Sequence, residues 1–529
     1  MKAIGIDVGG TSTDAVLLHN RKVRRYVKTA TTADVSSGIS SALDALLGLA
    51  GPDAAGVDAV MLGTTHFTNA IVERRGLTPT AAIRIGLPAT AFLEPFTDWP
   101  PDLTATVQAR NFMVRGGHEY DGRSIVPFDA AAVESAAREI RDAGIRAVAI
   151  TSVFSPLDAT LEERAGQIVR RVCPGAGVTL SHCLGRIGLL PRENVTILNA
   201  SLVDLARATT AAFADGLRMA GIDAPVYLTQ NDGTIARMER AAELPILGVA
   251  CGPTNSMRGA ASLSGTSDAL VIDVGGTTTD IGYLRHGLPR QANRVVEIGG
   301  VRTLFQMPDL LSLPLGGGSK VTAPPLAIGP ESVGFRLTEL GRVFGGGVTT
   351  GTDVAVAAGA ASLGDPRLVG DLPDGLVSEA MAMVRAMLED AVDRLRPDAE
   401  PRPVIAVGGA AFLVPDGLAG AGETVRVPHA AVANAVGAAM AQVSGESDRV
   451  YRDVPRDAAI AAATTAARTD AIAAGADPDT LEVVEVEDLP LAYLPGNSRR
   501  VRIKVLGEIA LPRLRGGRRP RRHAPRAPG

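Results

Sequence analysis

Two nine-residue stretches carry the residue types that handle phosphate. Ile6-Asp7-Val8-Gly9-Gly10-Thr11-Ser12-Thr13-Asp14 recurs as Ile272-Asp273-Val274-Gly275-Gly276-Thr277-Thr278-Thr279-Asp280, with eight of nine positions identical at an offset of 266 residues. Paired glycines lack Cβ, so backbone N–H groups approach an anion closely and turn toward its oxygens. The hydroxyls of Thr11, Ser12, Thr13, Thr277, Thr278 and Thr279 add donors, and Asp14 and Asp280 close each stretch. Asp7 and Asp273 end the incoming apolar runs, where a carboxylate can hold Mg²⁺ through water or orient a nucleophile, as phosphoryl transfer requires. A single Gly-Gly-Thr is as readily a plain tight turn. Two near-identical copies, both ending in Asp, favour the phosphate chemistry.

Positioning such loops takes strands. Each copy follows an apolar run (3–8 and 269–274) and precedes another (15–18 and 281–284), the pattern of a hairpin with a Gly-rich turn. Further strands are expected at 81–85, 147–154, 178–182, 226–230 and 403–407. Helices are expected at 129–143, 158–171, 194–216, 254–264, 377–395 and 429–443. Strands alternating with helices define α/β layers. The run 404–407 ends in Gly408-Gly409, where a flat base can lie against bare backbone or a strand simply turns into a helix. Beyond Ser444 the pattern gives one helix at 457–474 and a hairpin at 481–486 and 499–509.

Composition limits the alternatives. The 529 residues suffice for two to four domains. No run reaches the roughly 18 apolar residues of a membrane span. Three cysteines without a CxxC spell neither a disulfide framework nor a zinc knuckle, and seven scattered histidines make no metal cluster. A cytoplasmic protein is therefore expected. Residues 513–529 hold seven Arg and no acid, so removing them from the net charge of -4 leaves -11 for the body. An acidic body with a short basic tail, expected to be disordered and dispensable, is not the basic folded face of a nucleic-acid binder. Walker, nucleophile-elbow, zincin and EF-hand motifs are absent, so any ATP use runs through the two hairpins.

Two DxGGTxTD hairpins and a late strand ending in Gly-Gly resemble the superfamily of actin, sugar kinases and heat-shock chaperones. Within it the chain is similar to the hydantoinase/oxoprolinase A family. Gly63-Thr64-Thr65-His66-Phe67-Thr68-Asn69-Ala70, Ile197-Leu198-Asn199-Ala200-Ser201-Leu202, Gln230-Asn231-Asp232-Gly233, Gly252-Pro253, Leu315-Gly316-Gly317-Gly318-Ser319 and Gly329-Pro330-Glu331-Ser332 carry the likeness over about residues 1–440. It departs from the family at His66-Phe67, at Cys251 to Ser256 and at the C-terminus. The resemblance implies an α/β fold of two RNase H-like (actin-like ATPase) domains with a nucleotide cleft between them, plus a small C-terminal α+β extension. The expected divisions are 1–190, 191–443, 444–512 and the tail 513–529.

The resemblance further implies ATP- and Mg²⁺-dependent opening of a cyclic amide such as a hydantoin, 5-oxoproline or a lactam. An amide carbonyl is a poor electrophile because nitrogen donates into it; phosphorylating its oxygen makes water attack easy. The expected partners are a small cyclic amide and a B-type hydantoinase subunit or further copies of the chain. Asp7, Asp273 and His66 are the expected catalytic residues, with Asp7 and Asp273 also holding the metal. The two hairpins from Gly9 to Asp14 and Gly275 to Asp280, with Gly408 and Gly409, are expected to bind nucleotide. Thr65, Asn69, Arg192 and Asn199 are expected near substrate, although a lone His serves as readily as a structural hydrogen-bonder, Arg192 as a helix-start charge and the two Asn as helix caps. Cys251 reads as a buried inert thiol. A small-molecule kinase of the same fold and a non-enzymatic ATP-switched binding protein remain as alternatives.

Overall fold

The strand Lys2–Val8 is buried from Ala3 onward, as befits a central strand covered on both faces. It anchors a nine-stranded sheet in the computed structural model, which describes residues 1–10, 12–30, 35–184, 187–292, 296–304, 307–491 and 496–511. Across that sheet the order is Glu482–Pro490, Arg499–Gly507, Gln442–Tyr451, Thr234–Arg237, Val226–Thr229, Ala59–Thr64, Lys2–Val8, Ser12–His19 and Lys22–Ala30. Lys2–Val8 runs antiparallel to Ser12–His19, with Asp7 opposite Asp14, and parallel to Ala59–Thr64.

The second hairpin repeats this arrangement in a six-stranded sheet. Ala269–Val274 runs antiparallel to Thr279–Arg285, with Asp273 opposite Asp280, and parallel to Val404–Val407. A third sheet, wholly parallel, is ordered Arg110–Arg115, Thr80–Leu87, Ala147–Ser152, Gly177–Leu180. Helices Ala130–Asp142 and Thr160–Val172 pack on it through Val133, Ala137, Ile140, Ala165 and Val169. Asp129 caps the first of these, its carboxylate accepting from Ala132 N at 2.9 Å. The helix Leu189–Met219 ties this sheet to the large one: Leu198 and Ala206 lie in a core with Ala82 and Ala149, while Phe213 and Leu217 lie in another with Ile4 and Leu43.

Two helices join the hairpin sheets. Met257 and Ala260 of Cys251–Ser264 pack with Val271, Ile405 and Val407 of the second sheet. Ala435, Val436 and Ala439 of Ala433–Ala439 pack with Val16 and Leu18 of the first. The helices meet at glycines: a Cβ on Gly259 would stand 1.8 Å from Ala433 O, and one on Gly437 1.8 Å from Asn255 O.

Chain order and sheet membership differ from the expected divisions. The breaks at 190/191 and 443/444 cut across one sheet, because Val226–Thr229, Thr234–Arg237 and the three last strands all belong with the first hairpin. The C-terminal segment is thus an extension of the large sheet. Its helix Arg456–Ala473 lays Ala459, Ala463, Ala467 and Ala471, a stripe at i, i+4 spacing, onto Val501, Ile503 and Val505. The helix expected at 429–443 is α-helical only over Ala433–Ala439, since Gln442 and Val443 already pair with Thr234 and Ile235. The 513–529 tail and Pro495 of the hairpin loop lie outside the described residues.

Candidate functional site

The two hairpin turns close alike. Gly9 N donates to Ser12 O at 2.9 Å, and Gly275 N to Thr278 O at 2.9 Å. Their surroundings differ. Gly317 N donates to Gly275 O at 3.0 Å and Gly318 N to Gly276 O at 2.7 Å, while Thr279 Oγ1 donates to Leu315 O at 2.6 Å. A Cβ on Gly316 would stand 2.6 Å from Gly276 C, so the Gly-rich loop can brace the second turn only because it has none. Gly10, in the first turn, is exposed, and a Cβ there would meet nothing within 4 Å. Thr11 lies outside the described residues.

Four aspartates share one electrostatic neighbourhood. Asp7 is 3% exposed. Its Oδ1 accepts from Asn255 Nδ2 at 3.0 Å and its Oδ2 from Asn434 Nδ2 at 2.9 Å. Burial, reinforced by the charges of Asp14 and Asp273, pushes it up to about 6 despite these donors. Burial likewise raises Asp280 to about 6, with Asp273 adding to the effect and the Ser312 hydroxyl opposing it. Asp14 is raised by burial and by Asp273, although Lys28 Nζ reaches it at 2.7 Å. Asp273 is raised by burial against the hydrogen bond from Ser256 Oγ. Asp7 and Asp14 are buried while Asp273 and Asp280 are half-buried, and the four carboxylates together are short of positive charge.

The donor set fits a hard cation. Among the described residues no group of three or more His, Cys, Asp or Glu is arranged as a complete metal cage. Mg²⁺ does not need one, since it retains several waters and takes one or two carboxylates alongside phosphate oxygens. Beside Asp7, the buried Oδ1 of Asn255 has no hydrogen-bond partner, leaving an oxygen acceptor in the same place.

The 64–69 stretch joins this neighbourhood. Thr65 N and Oγ1 both donate to Val8 O at 3.2 Å, His66 N donates to Thr64 Oγ1 at 3.1 Å, and Ala250 N donates to Thr68 Oγ1 at 3.0 Å. His66 is half-buried and Asn69 exposed. Cys251 Sγ donates to Thr64 O at 3.5 Å, and burial with the nearby Asp7 charge pushes the thiol up to about 11. Gly408 and Gly409 are close as well. A Cβ on Gly408 would stand 2.3 Å from Asp273 Oδ1, and one on Gly409 3.7 Å from Lys28 Cε. The first glycine is therefore demanded by the aspartate.

Arg192 and Asn199 are committed to the scaffold, which corrects their placement near substrate. Arg192 is 1% exposed, and its guanidinium donates to Ser181 Oγ at 3.0 Å and Ser152 O at 2.7 Å. Asn199 is fully buried, donating to Thr179 Oγ1 and Glu243 O at 3.0 Å and accepting from Ile246 N at 3.3 Å. The sequence reading missed Lys28, Asn255, Ser256, Ser312 and Asn434. Asn255 and Ser256 lie within a stretch already singled out; nothing local marks the others.

This mixed α/β arrangement, with one phosphate-type hairpin per sheet, defines the class of protein. The chain belongs to the hydantoinase/oxoprolinase family: residues 3–173 match its N-terminal region and residues 192–365 the hydantoinase/oxoprolinase region itself. It is 26% identical to caprolactamase subunit alpha of Pseudomonas jessenii over 69% of this chain and 55% of that one. It is 26% identical to the acetophenone carboxylase gamma subunit of Aromatoleum aromaticum over 68% of this chain and 53% of that one. The chain thus spans about half the length of the curated relatives it matches. Its fold is similar to the crystal structure of ATP-dependent caprolactamase from Pseudomonas jessenii, with a TM-score of 0.77 at 18% identity, covering 96% of this chain and 88% of that one. It is also similar to nucleotide-free acetone carboxylase, with a TM-score of 0.69 at 17% identity over 97% and 89% of the two chains. Among the described residues no helix is long and apolar enough to cross a membrane.

Proposed function

We propose that the chain is an A-type subunit that uses ATP to open a cyclic amide by phosphorylating its carbonyl oxygen. The observation that carries this reading is the convergence of four aspartates from two like hairpins, Asp7 and Asp14 buried and Asp273 and Asp280 half-buried, with Asp7 held between Asn255 and Asn434. The two hairpin sheets act as RNase H-like lobes on either side of a nucleotide. When bound, Mg²⁺·ATP supplies the phosphoryl group and the positive charge that the carboxylates lack.

The chain's own residues then have separable tasks. Backbone N–H groups and hydroxyls of Gly10 to Ser12 and Gly276 to Thr278 would hold phosphate oxygens. Asp7 and Asp273 would hold the cation, and Asn255 and Asn434 fix the carboxylate of Asp7. Burial of Asp7 and Asp14 strengthens the charge interactions they make. Thr65 and His66, just past the strand Ala59–Thr64 that pairs with the one bearing Asp7, face the substrate; His66 moves a proton to or from the ring. The named subunits among the relatives support a partner chain here too, and a B-type subunit that completes water attack is the partner proposed.

The test is purified chain, alone and with a B-type subunit, given Mg²⁺·ATP and a panel of caprolactam, 5-oxoproline and hydantoin. Phosphate release matched by ring-opened product is expected. A stable phosphorylated metabolite would instead establish a small-molecule kinase, and ATP turnover indifferent to every ring would remove the amide from the account.

A further inference from the structure

Lys22–Ala30 is the edge strand of the large sheet, and two of its side chains reach the 429–431 segment. That segment is tied to the second sheet's glycine turn, since Gly408 N donates to Ala430 O at 2.9 Å. The Tyr26 ring meets the His429 ring edge-on, with centroids 5.3 Å apart. Lys28 lies directly opposite Asp14 in the sheet, and its Nζ donates to Asp14 Oδ1 at 2.7 Å, to Asp14 Oδ2 at 2.8 Å and to Ala431 O at 3.1 Å. One ammonium thus joins the last residue of the first hairpin stretch to backbone beside the second sheet.

Three observations set Lys28 apart from an ordinary structural ion pair. Its stem passes over bare backbone: a Cβ on Gly409 would stand 3.7 Å from Lys28 Cε, so the methylenes lie against the turn expected to take the nucleotide. The lysine side chain is 38% exposed and that of Asp14 only 1%, so the ammonium has room to re-aim and the carboxylate does not. Burial raises both Asp14 and Asp273, and the charge of Lys28 opposes that rise at each, although the two aspartates belong to different hairpins. A compact ammonium with three donors on a rotatable stem suits an oxyanion that arrives and leaves.

We propose that Lys28 is a phosphate ligand of the nucleotide, held in reserve on Asp14. The inference rests on the nucleotide reading of the hairpins and adds to it a side chain that meets the phosphate charge. In the nucleotide-free chain the ammonium neutralises Asp14 and reaches Ala431 O. With nucleotide bound, the Lys28 stem packs along the nucleoside at Gly409, and its Nζ turns N–H donors from Asp14 to a phosphate oxygen. Asp14 loses little by this, because bound Mg²⁺ adds positive charge to the same group of carboxylates. Charge-assisted hydrogen bonds are about twice as strong as neutral ones, so the lysine favours phosphorylated ligands over the bare nucleoside.

The first test needs no variant. Adenosine diphosphopyridoxal carries an aldehyde where a terminal phosphate would lie, and the full chain offers it five lysines: Lys2, Lys22, Lys28, Lys320 and Lys504. Imine formation, fixed by borohydride and located by peptide mass spectrometry, is expected at Lys28, and Mg²⁺ with a non-hydrolysable ATP analogue should prevent it. Labelling of another lysine in place of Lys28 would overturn the proposal. The second test is calorimetric titration of the wild type, Lys28→Met and Lys28→Arg. Lys28→Met should bind the analogue about tenfold more weakly while binding adenosine as the wild type does, and Lys28→Arg should restore most of the loss. Equal weakening of analogue and adenosine would mark a lysine that only holds the fold, and undiminished analogue binding would show that it touches no phosphate. Either result defeats this proposal and leaves the hairpin reading standing, whereas a wild-type chain that binds neither ligand would overturn both.

Discussion

Asn434 Nδ2 donates a 2.9 Å hydrogen bond to Asp7 Oδ2 across 427 residues of chain. Asn255 holds the other carboxylate oxygen, so one aspartate is gripped by two helices, each seated on a different sheet. A change in the angle between the sheets must therefore move a donor on Asp7. This links the nucleotide chemistry proposed for the hairpins to the packing of the whole molecule.

Gly259 and Gly437 set that packing. A methyl group at either position would collide with backbone of the opposite helix at 1.8 Å, where no flexible side chain can yield. Gly259→Ala and Gly437→Ala should each cost about 3 kcal/mol or more through overpacking, read as a lowered urea midpoint, and should weaken nucleotide binding because Asn255 and Asn434 move. Gly375→Ala is the control. Its Cβ meets nothing within 4 Å at the start of a helix, so it should gain roughly 0.5 kcal/mol and leave binding unchanged.

The fold was legible in the sequence where elements are long and locally consistent. Asp129 announces its helix by capping it, and the alanines of 456–473 announce theirs by their spacing. Both hairpins were readable because Gly-Gly turns and flanking apolar runs are local features. Sheet membership was not, since the pairing of Ile235 with Val443 joins distant segments and is fixed by tertiary packing. The same limit applies to the site. Asp7 and Asp273 stand out by repetition, while Asn434 sits in an Ala-rich helix that gives no sign of reaching back to residue 7. Arg192 misled for the opposite reason: an arginine ahead of the Asn199 helix can hold an anionic group or serve as a solvated helix-start charge, yet here it bonds Ser152 and Ser181 in the interior.

Lys28 is the nearest positive charge to the aspartates, meeting Asp14 at 2.7 and 2.8 Å. Its stem is 38% exposed but Asp14 is 1% exposed, so removing the lysine leaves a buried carboxylate without its counter-charge. Lys28→Met should destabilise by about 2 kcal/mol, below the range for wholly buried pairs because solvent reaches the lysine. Adding Asp14→Asn should recover part of that loss. Urea unfolding of the wild type, both single variants and the double gives the coupling directly, and strictly additive effects would show that the pair contributes nothing.

The Glu162–His182 pair gives a pH dependence of defined sign. Despite burial, hydrogen bonds from His182 and Ser181 hold the Glu162 carboxyl below its usual range. The pair also lies near the Arg192 guanidinium, whose charge Glu162 favours. A depressed acid stabilises the fold above its unfolded value and loses that contribution as pH falls through the folded one; a raised histidine stabilises below about 6.5 and loses its contribution as pH rises toward about 10. Wild-type stability should therefore decline between pH 7 and 10 with a component that His182→Gln lacks. Parallel melting-temperature profiles for the two proteins across that range would contradict the assignment.

The central claim is that two hairpins, 266 residues apart, form one nucleotide site. Calorimetric titration of the full chain with Mg²⁺ and a non-hydrolysable ATP analogue tests it most directly. The expected result is one nucleotide per chain in the wild type, with binding lost in Asp7→Ala and equally in Asp273→Ala while both variants keep the wild-type circular dichroism spectrum. Two independent sites, or unchanged binding in either variant, would contradict the account.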